Sequence, residues 1–207
     1  MKKILLHLAL CFCAVGFCSS SLYGQVVSHI ESADGELSGS NLSPTDLAIF
    51  GVGTSTVSGT VVDALGASPN VDVFTFDVAA GTQLDGIFLN SFGSTDDLAF
   101  IGINDSASFP FDAPALSGGP DQSQFIGGAL FGGSVGPNLL AGIGGGGIGS
   151  GFTGPLQAGE YTVYLQQLGG ATVDYEFGFS VSAVPEPGSG ILLGLALVGM
   201  VAKRRRR

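Results

Sequence analysis

Between Gln25 and Ala183 the chain has no lysine, no arginine, no cysteine and no tryptophan, and a single histidine, His29. Each absence closes off a class of function. Without Lys or Arg nothing neutralises phosphate, so DNA, RNA and anionic lipid are poor partners for this stretch. Without thiols there are no disulfides, zinc–thiolate sites or cysteine nucleophiles; Cys11, Cys13 and Cys18 all lie near the start. One histidine close to the N-terminal end supports neither an ordinary zinc site nor a Ser-His-Asp triad. With no tryptophan, a glycosidase would lack its usual platform for stacking a sugar ring. The seven Lys and Arg residues are confined to the two ends, and every acidic residue except Glu186 lies between them. The formal charge of that middle stretch is therefore near −16, against −10 for the whole chain. Such a charge favours solubility and draws divalent cations; it is equally what a plain acidic surface looks like.

The chain opens Met1-Lys2-Lys3 and continues apolar from Ile4 to about Phe17. A positive patch, an apolar run and then small residues are the layout of a secretory signal peptide. Residues 1–24 are thus expected to be a leader read by the secretion machinery, with cleavage after Ser20 or Gly24. An uncleaved anchor and a lipoprotein joined at Cys18 are the alternatives. The apolar run is short for a span, and Phe17 stands where lipid attachment takes Gly or Ala.

At the other end Val184-Pro185-Glu186-Pro187-Gly188 leads into an apolar stretch from Ile191 to Ala202, followed by Lys203-Arg204-Arg205-Arg206-Arg207. The prolines keep the segment before that stretch extended, and the basic cluster is expected to stay cytoplasmic. Triplet, apolar run and basic cluster in this order resemble the PEP-CTERM sorting signal of exported proteins in Gram-negative bacteria that make extracellular polysaccharide. The resemblance implies that exosortase, a membrane-embedded transpeptidase, recognises Pro185, Glu186 and Pro187 and cuts nearby. Residues 184–207 then form a sorting signal whose transmembrane helix holds the protein briefly in the cytoplasmic membrane, before the cell surface or extracellular matrix.

The roughly 160 residues from 25 to 183 suit one domain with a genuine core. Their apolar residues alternate with period two, which predicts strands. In Val71 to Val78, Phe74, Phe76 and Val78 share one face and Val73, Thr75 and Asp77 the other. Tyr161, Val163 and Leu165 share a face in Glu160 to Gln166, as do Tyr175, Phe177, Phe179 and Val181 in the last strand. Thr56 to Val62, Leu84 to Asn90 and Leu98 to Ile103 read as further strands, the last apolar on both faces and so central. The expected fold class is all-β, a single sandwich of two sheets. Val57-Ser58-Gly59-Thr60-Val61, Asp72 to Thr82, Asp97 to Phe100, Leu156 to Val163 and Tyr175 to Phe179 together resemble the bacterial pre-peptidase C-terminal (PPC) domain. That resemblance implies a jelly-roll-like β-sandwich.

Gly127 to Gly154 departs from that family, with thirteen glycines in 28 residues, and reads as a mobile surface loop. Some PPC domains bind calcium through an acidic N-terminal segment and an aspartate opening a central strand. The resemblance implies Glu31, Asp34 and Asp72 as such a set, although Ala33 stands where the family often has Asn. Ca²⁺ takes oxygen ligands of this kind; the alternative is ordinary exposed acids. A carboxylate pair of glycosidase type is open in composition, from Asp72, Asp77, Asp85, Asp96 and Asp97. The leading expectation is a non-enzymatic structural or adhesive protein of the surface or matrix, in contact with extracellular polysaccharide or surface proteins. A calcium-dependent polysaccharide- or protein-binding module and a small glycan-active enzyme are the alternatives.

Overall fold

Alternating apolar residues decide which strands form and which way they face. The computed structural model describes residues 24–62, 70–96, 99–111, 122–167 and 169–185. The described strands are β1 (Ser28–Ile30), β2 (Thr45–Phe50), β3 (Gly53–Val62), β4 (Asp72–Val78), β5 (Thr82–Gly93), β6 (Ala99–Asn104), β7 (Gly127–Phe131), β8 (Gly159–Gln167) and β9 (Thr172–Ala183). Two short helices, α1 (Glu31–Asp34) and α2 (Leu140–Gly145), accompany them. The strands form a four-stranded sheet in the order β1-β3-β9-β5 and a five-stranded sheet in the order β2-β4-β8-β6-β7. The pairs β1–β3 and β2–β4 are parallel and the rest antiparallel.

The inner faces carry the residues the alternation singles out. Phe74, Phe76 and Val78 of β4 join Tyr161, Val163 and Leu165 of β8, and meet Tyr175, Phe177, Phe179 and Val181 of β9 in one buried cluster. Phe50 stacks on Phe76 with centroids 4.5 Å apart, and Phe179 touches Phe50, Phe74 and Phe76 at 5.4 to 5.9 Å. Burying each of these rings contributes about 1.5–3 kcal/mol. The outer face of the five-stranded sheet is buried too. There Val73, Phe100 and Tyr164 lie under Phe109 and Phe125, which follow β6 and precede β7. This second cluster is why β6 is apolar on both faces and buried at every position.

The glycine-rich stretch is not the mobile loop expected of it. Its first residues are β7, which pairs with β6 from Ala99↔Phe131 to Ile103↔Gly127. Leu140 and Ile143 of α2 are buried in the main core. Glycine serves close approach here: a Cβ on Gly144 would fall 2.9 Å from the Phe152 ring, and one on Gly127 2.9 Å from its Cε1.

Residues 1–23 of the expected leader and the apolar stretch and basic cluster after Pro185 lie outside the described residues, as do Asp97 and Leu98. Among the described residues no helix is long and apolar enough to cross a membrane.

Candidate metal centre

Period two places Asp72 on the same face as Phe74 and Phe76, so the first residue of β4 turns its carboxylate into the space between the sheets. It is wholly buried. Opposite it, Tyr175 is the first of the inner aromatic row of β9, and its hydroxyl donates to Asp72 Oδ2 at 2.6 Å. Asp72 Oδ1 has no hydrogen-bond partner. A buried carboxylate oxygen left in this way is costly unless a proton or a cation satisfies it.

The N-terminal segment closes this end of the sandwich. β1 delivers the chain to α1, where Asp34 Oδ2 accepts the Ile30 N–H at 2.8 Å and the Gly35 N–H bonds Glu31 O at 3.0 Å. Gly35 sits at φ +107, a region that L side chains rarely adopt, and there the chain reverses. His29 Nε2 donates to Gly35 O at 3.0 Å and steadies the same turn. The reversal brings Leu37 into the core and Glu36 alongside Glu31. Glu31 is anchored twice: Oε1 accepts from Leu37 N at 3.0 Å and Oε2 from Thr60 N of β3 at 2.7 Å. Glu36 Oε1 accepts from Asn70 Nδ2 at 2.8 Å.

Glu31, Glu36 and Asp72 each bring one carboxylate oxygen within 4.8 Å of the others. Of the residues the sequence suggests, Glu31 and Asp72 therefore meet, while Asp34 is spent on the α1 turn and Glu36 takes its place. Gly59 makes room for the arrangement. A Cβ there would collide with Glu31 Oε2 and lie 2.8 Å from the Tyr175 hydroxyl. A groove of about 210 Å³ is lined among others by Glu31, Gly59, Asp174 and Tyr175, so of the three carboxylates it borders Glu31.

Three carboxylates this close raise the energy of full ionisation. Burial first, then the Glu31 and Glu36 charges, push the Asp72 carboxyl up to about 8, although the Tyr175 hydrogen bond works the other way. Tyr175 is held well above its ordinary value by burial and by Asp72. Oxygens ligating one Ca²⁺ at about 2.3–2.6 Å lie within about 5 Å of one another, so the spacing and the all-oxygen donors suit that ion. The three carboxylates would be its ligands, with further oxygens to complete the shell.

Pro185, the first residue of the expected processing triplet, is exposed, while Glu186 and Pro187 lie outside the described residues. The Val184 N–H bonds Gly81 O at 2.8 Å, immediately before Pro185, which has no N–H to donate. Of the acids weighed as a catalytic pair, the cluster holds Asp72 but not Asp77, Asp85 or Asp96, and Asp85 Oδ1 accepts from Gln83 Nε2 at 2.7 Å.

Compared with known proteins, residues 183–207 match the PEP-CTERM protein-sorting motif. The match begins at Ala183, the last residue of β9, and leaves the rest of the sandwich unmatched. No curated protein and no solved structure matches the chain. The motif makes the C-terminal tail an exosortase-directed signal, and it implies export and processing at the membrane.

Proposed function

We propose that this is an exported, non-enzymatic protein of the cell surface or extracellular matrix, held in the cytoplasmic membrane by its tail until exosortase cuts near Pro185-Glu186-Pro187. The observation that carries the reading is the sorting motif at residues 183–207. The structure is consistent with it, because the triplet begins directly after the Val184–Gly81 hydrogen bond and Pro185 stands in solvent. A leader over residues 1–24 supplies translocation, and the acidic middle, free of Lys and Arg, becomes the mature domain. Its strand motifs favour a PPC-like jelly roll with a structural or adhesive role. The test replaces Pro185, Glu186 and Pro187 together by alanine in a host that carries exosortase. Export should persist while the protein stays in the cytoplasmic membrane at full length. Normal release of the variant would overturn the reading.

A second reading has its own observation, a buried Asp72 carboxylate with an orphan Oδ1, clustered with the carboxylates of Glu31 and Glu36. It makes the sandwich a calcium-dependent module, in which the ion clips the N-terminal segment to β4 and so stabilises the face it presents to a partner. Chelation with EGTA, followed by thermal melting and partner binding, tests it; a protein indifferent to EGTA in both overturns it.

A further inference from the structure

The outward face of the four-stranded sheet carries a feature that neither the tail nor the cation site uses. Register sets Thr54, Thr56 and Thr60 of β3 beside Ser180, Gly178 and Asp174 of β9, and sets Gly178 beside Phe88 of β5. These positions point away from the core. Thr60 Oγ1 donates to Asp174 Oδ1 at 2.8 Å, and Asn90 Nδ2 to Glu176 Oε1 at 3.0 Å.

Phe88 is the misfit. Every other described phenylalanine belongs to one of the two core clusters or packs against one; Phe88 does neither. It is half-buried on a polar face, with its ring leaning along the strand over Gly86, where a Cβ would lie 2.6 Å from Phe88 Cε2. On the neighbouring strand, a Cβ on Gly178 would lie 3.0 Å from Asn90 Nδ2 and 3.2 Å from Thr54 Cγ2. Two glycines thus keep the sheet low beneath and beside the ring, while amides, hydroxyls and carboxylates surround it.

We infer that this face binds a neutral polysaccharide, with Phe88 against the C–H side of one sugar ring and Thr54, Thr56, Asn90, Asp174 and Glu176 exchanging hydrogen bonds with hydroxyls of successive sugars along the polymer. Charge selects the class of ligand. No Lys or Arg lies between Ile4 and Ala202, so polyanions, nucleic acids and a second copy of this acidic chain are repelled. Sugar hydroxyls instead donate to Asp174 and Glu176 in charge-assisted bonds. The inference deepens the adhesive reading above and rests on it for the extracellular setting in which such a polymer is met.

The test is affinity electrophoresis of the protein released by its exporting host, through gels containing dextran, hydroxyethylcellulose or galactomannan, with alginate as the acidic comparison. Retardation is expected in at least one neutral gel and not in alginate. Phe88→Ala should weaken it about tenfold, the scale of one aromatic contact, with the melting curve unchanged, whereas Phe88→Tyr should bind as wild type. Should Phe88→Ala melt lower, Glu176→Gln, whose side chain is outside the core, carries the same test. Free migration in every neutral gel, retardation in alginate alone, or full binding by a normally folded Phe88→Ala or Glu176→Gln would overturn the inference. Tail processing is read separately by mass, so a failure here leaves the export reading standing, and a failure there is seen whatever the gels show.

Discussion

The Tyr175 hydroxyl reaches across the sandwich to Asp72 Oδ2 at 2.6 Å, joining two residues 103 positions apart and the two sheets that carry them. The bond satisfies one carboxylate oxygen and leaves the other without a hydrogen bond, in a carboxylate that lies beside those of Glu31 and Glu36. The site therefore needs either a proton or a cation, and the two alternatives behave differently.

In the presence of a chelator, stability should fall as pH rises. The Asp72 carboxyl titrates near 3.8 when exposed and at about 8 in the fold. Below the first value both states are protonated. Between the two, the folded state keeps a proton that the unfolded state has released, so rising pH favours unfolding, and the loss is complete above about 8. Urea midpoints measured from pH 5 to 8 should decline for wild type and flatten in Asp72→Asn. Equal slopes for the two proteins would remove Asp72 from this role.

Calcium should raise the melting temperature of wild type near neutral pH, because an ion that binds only the folded state stabilises it by about 2.7 kcal/mol at about 100 times Kd. Asp72→Asn and Glu31→Gln should abolish the rise. Asp34→Asn should keep it, since that side chain is engaged by Ile30 N–H and lies outside the cluster. Loss of the response in Asp34→Asn with retention in Asp72→Asn would reverse the assignment.

Gly59→Ala should destabilise by about 1–3 kcal/mol, the usual cost of overpacking a filled site. The added methyl meets Glu31 and the Tyr175 hydroxyl, not open space. Wild-type stability in chemical denaturation would show that the cradle around Glu31 yields freely.

Ile143→Ala should cost about 2–5 kcal/mol, as for a large aliphatic side chain removed from a core. Ile143 is wholly buried although it lies in a run dominated by glycine. A loss below about 0.5 kcal/mol, the scale of surface substitutions, would mean that the stretch behaves as a loop after all.

The long strands were legible because their alternation is uninterrupted: Phe74, Phe76 and Val78 face inward as the period requires. β2 was hidden by its own irregularity. Ala48 takes φ +60 and the register slips between Asp46 and Ile49, so no clean period survives. β7 has no β-branched residue, and α2 reads Leu-Ala-Gly-Ile-Gly-Gly. Their stability comes from tertiary contacts that glycine permits, which a propensity argument does not see. At the site, Glu31 and Asp72 were suggested by family likeness, but Glu36 enters only through the reversal at Gly35. Tyr175 read as one more inner aromatic. Its hydroxyl has a partner only because β3 and β9 pair in the register that sets Gly59 opposite Tyr175, a long-range choice with no local signal.

The central claim is that exosortase processes this chain at its tail, and the most direct measurement is the intact mass of the protein in paired hosts with and without exosortase. With the enzyme, the exported protein should lack both the leader and about 2 kDa of tail, corresponding to roughly the 20 residues of a membrane-spanning segment, and should leave the cytoplasmic membrane. Without it, the leader should still be removed while the tail remains and the protein stays in the membrane fraction. The same mass and the same fractionation in both hosts would contradict the account.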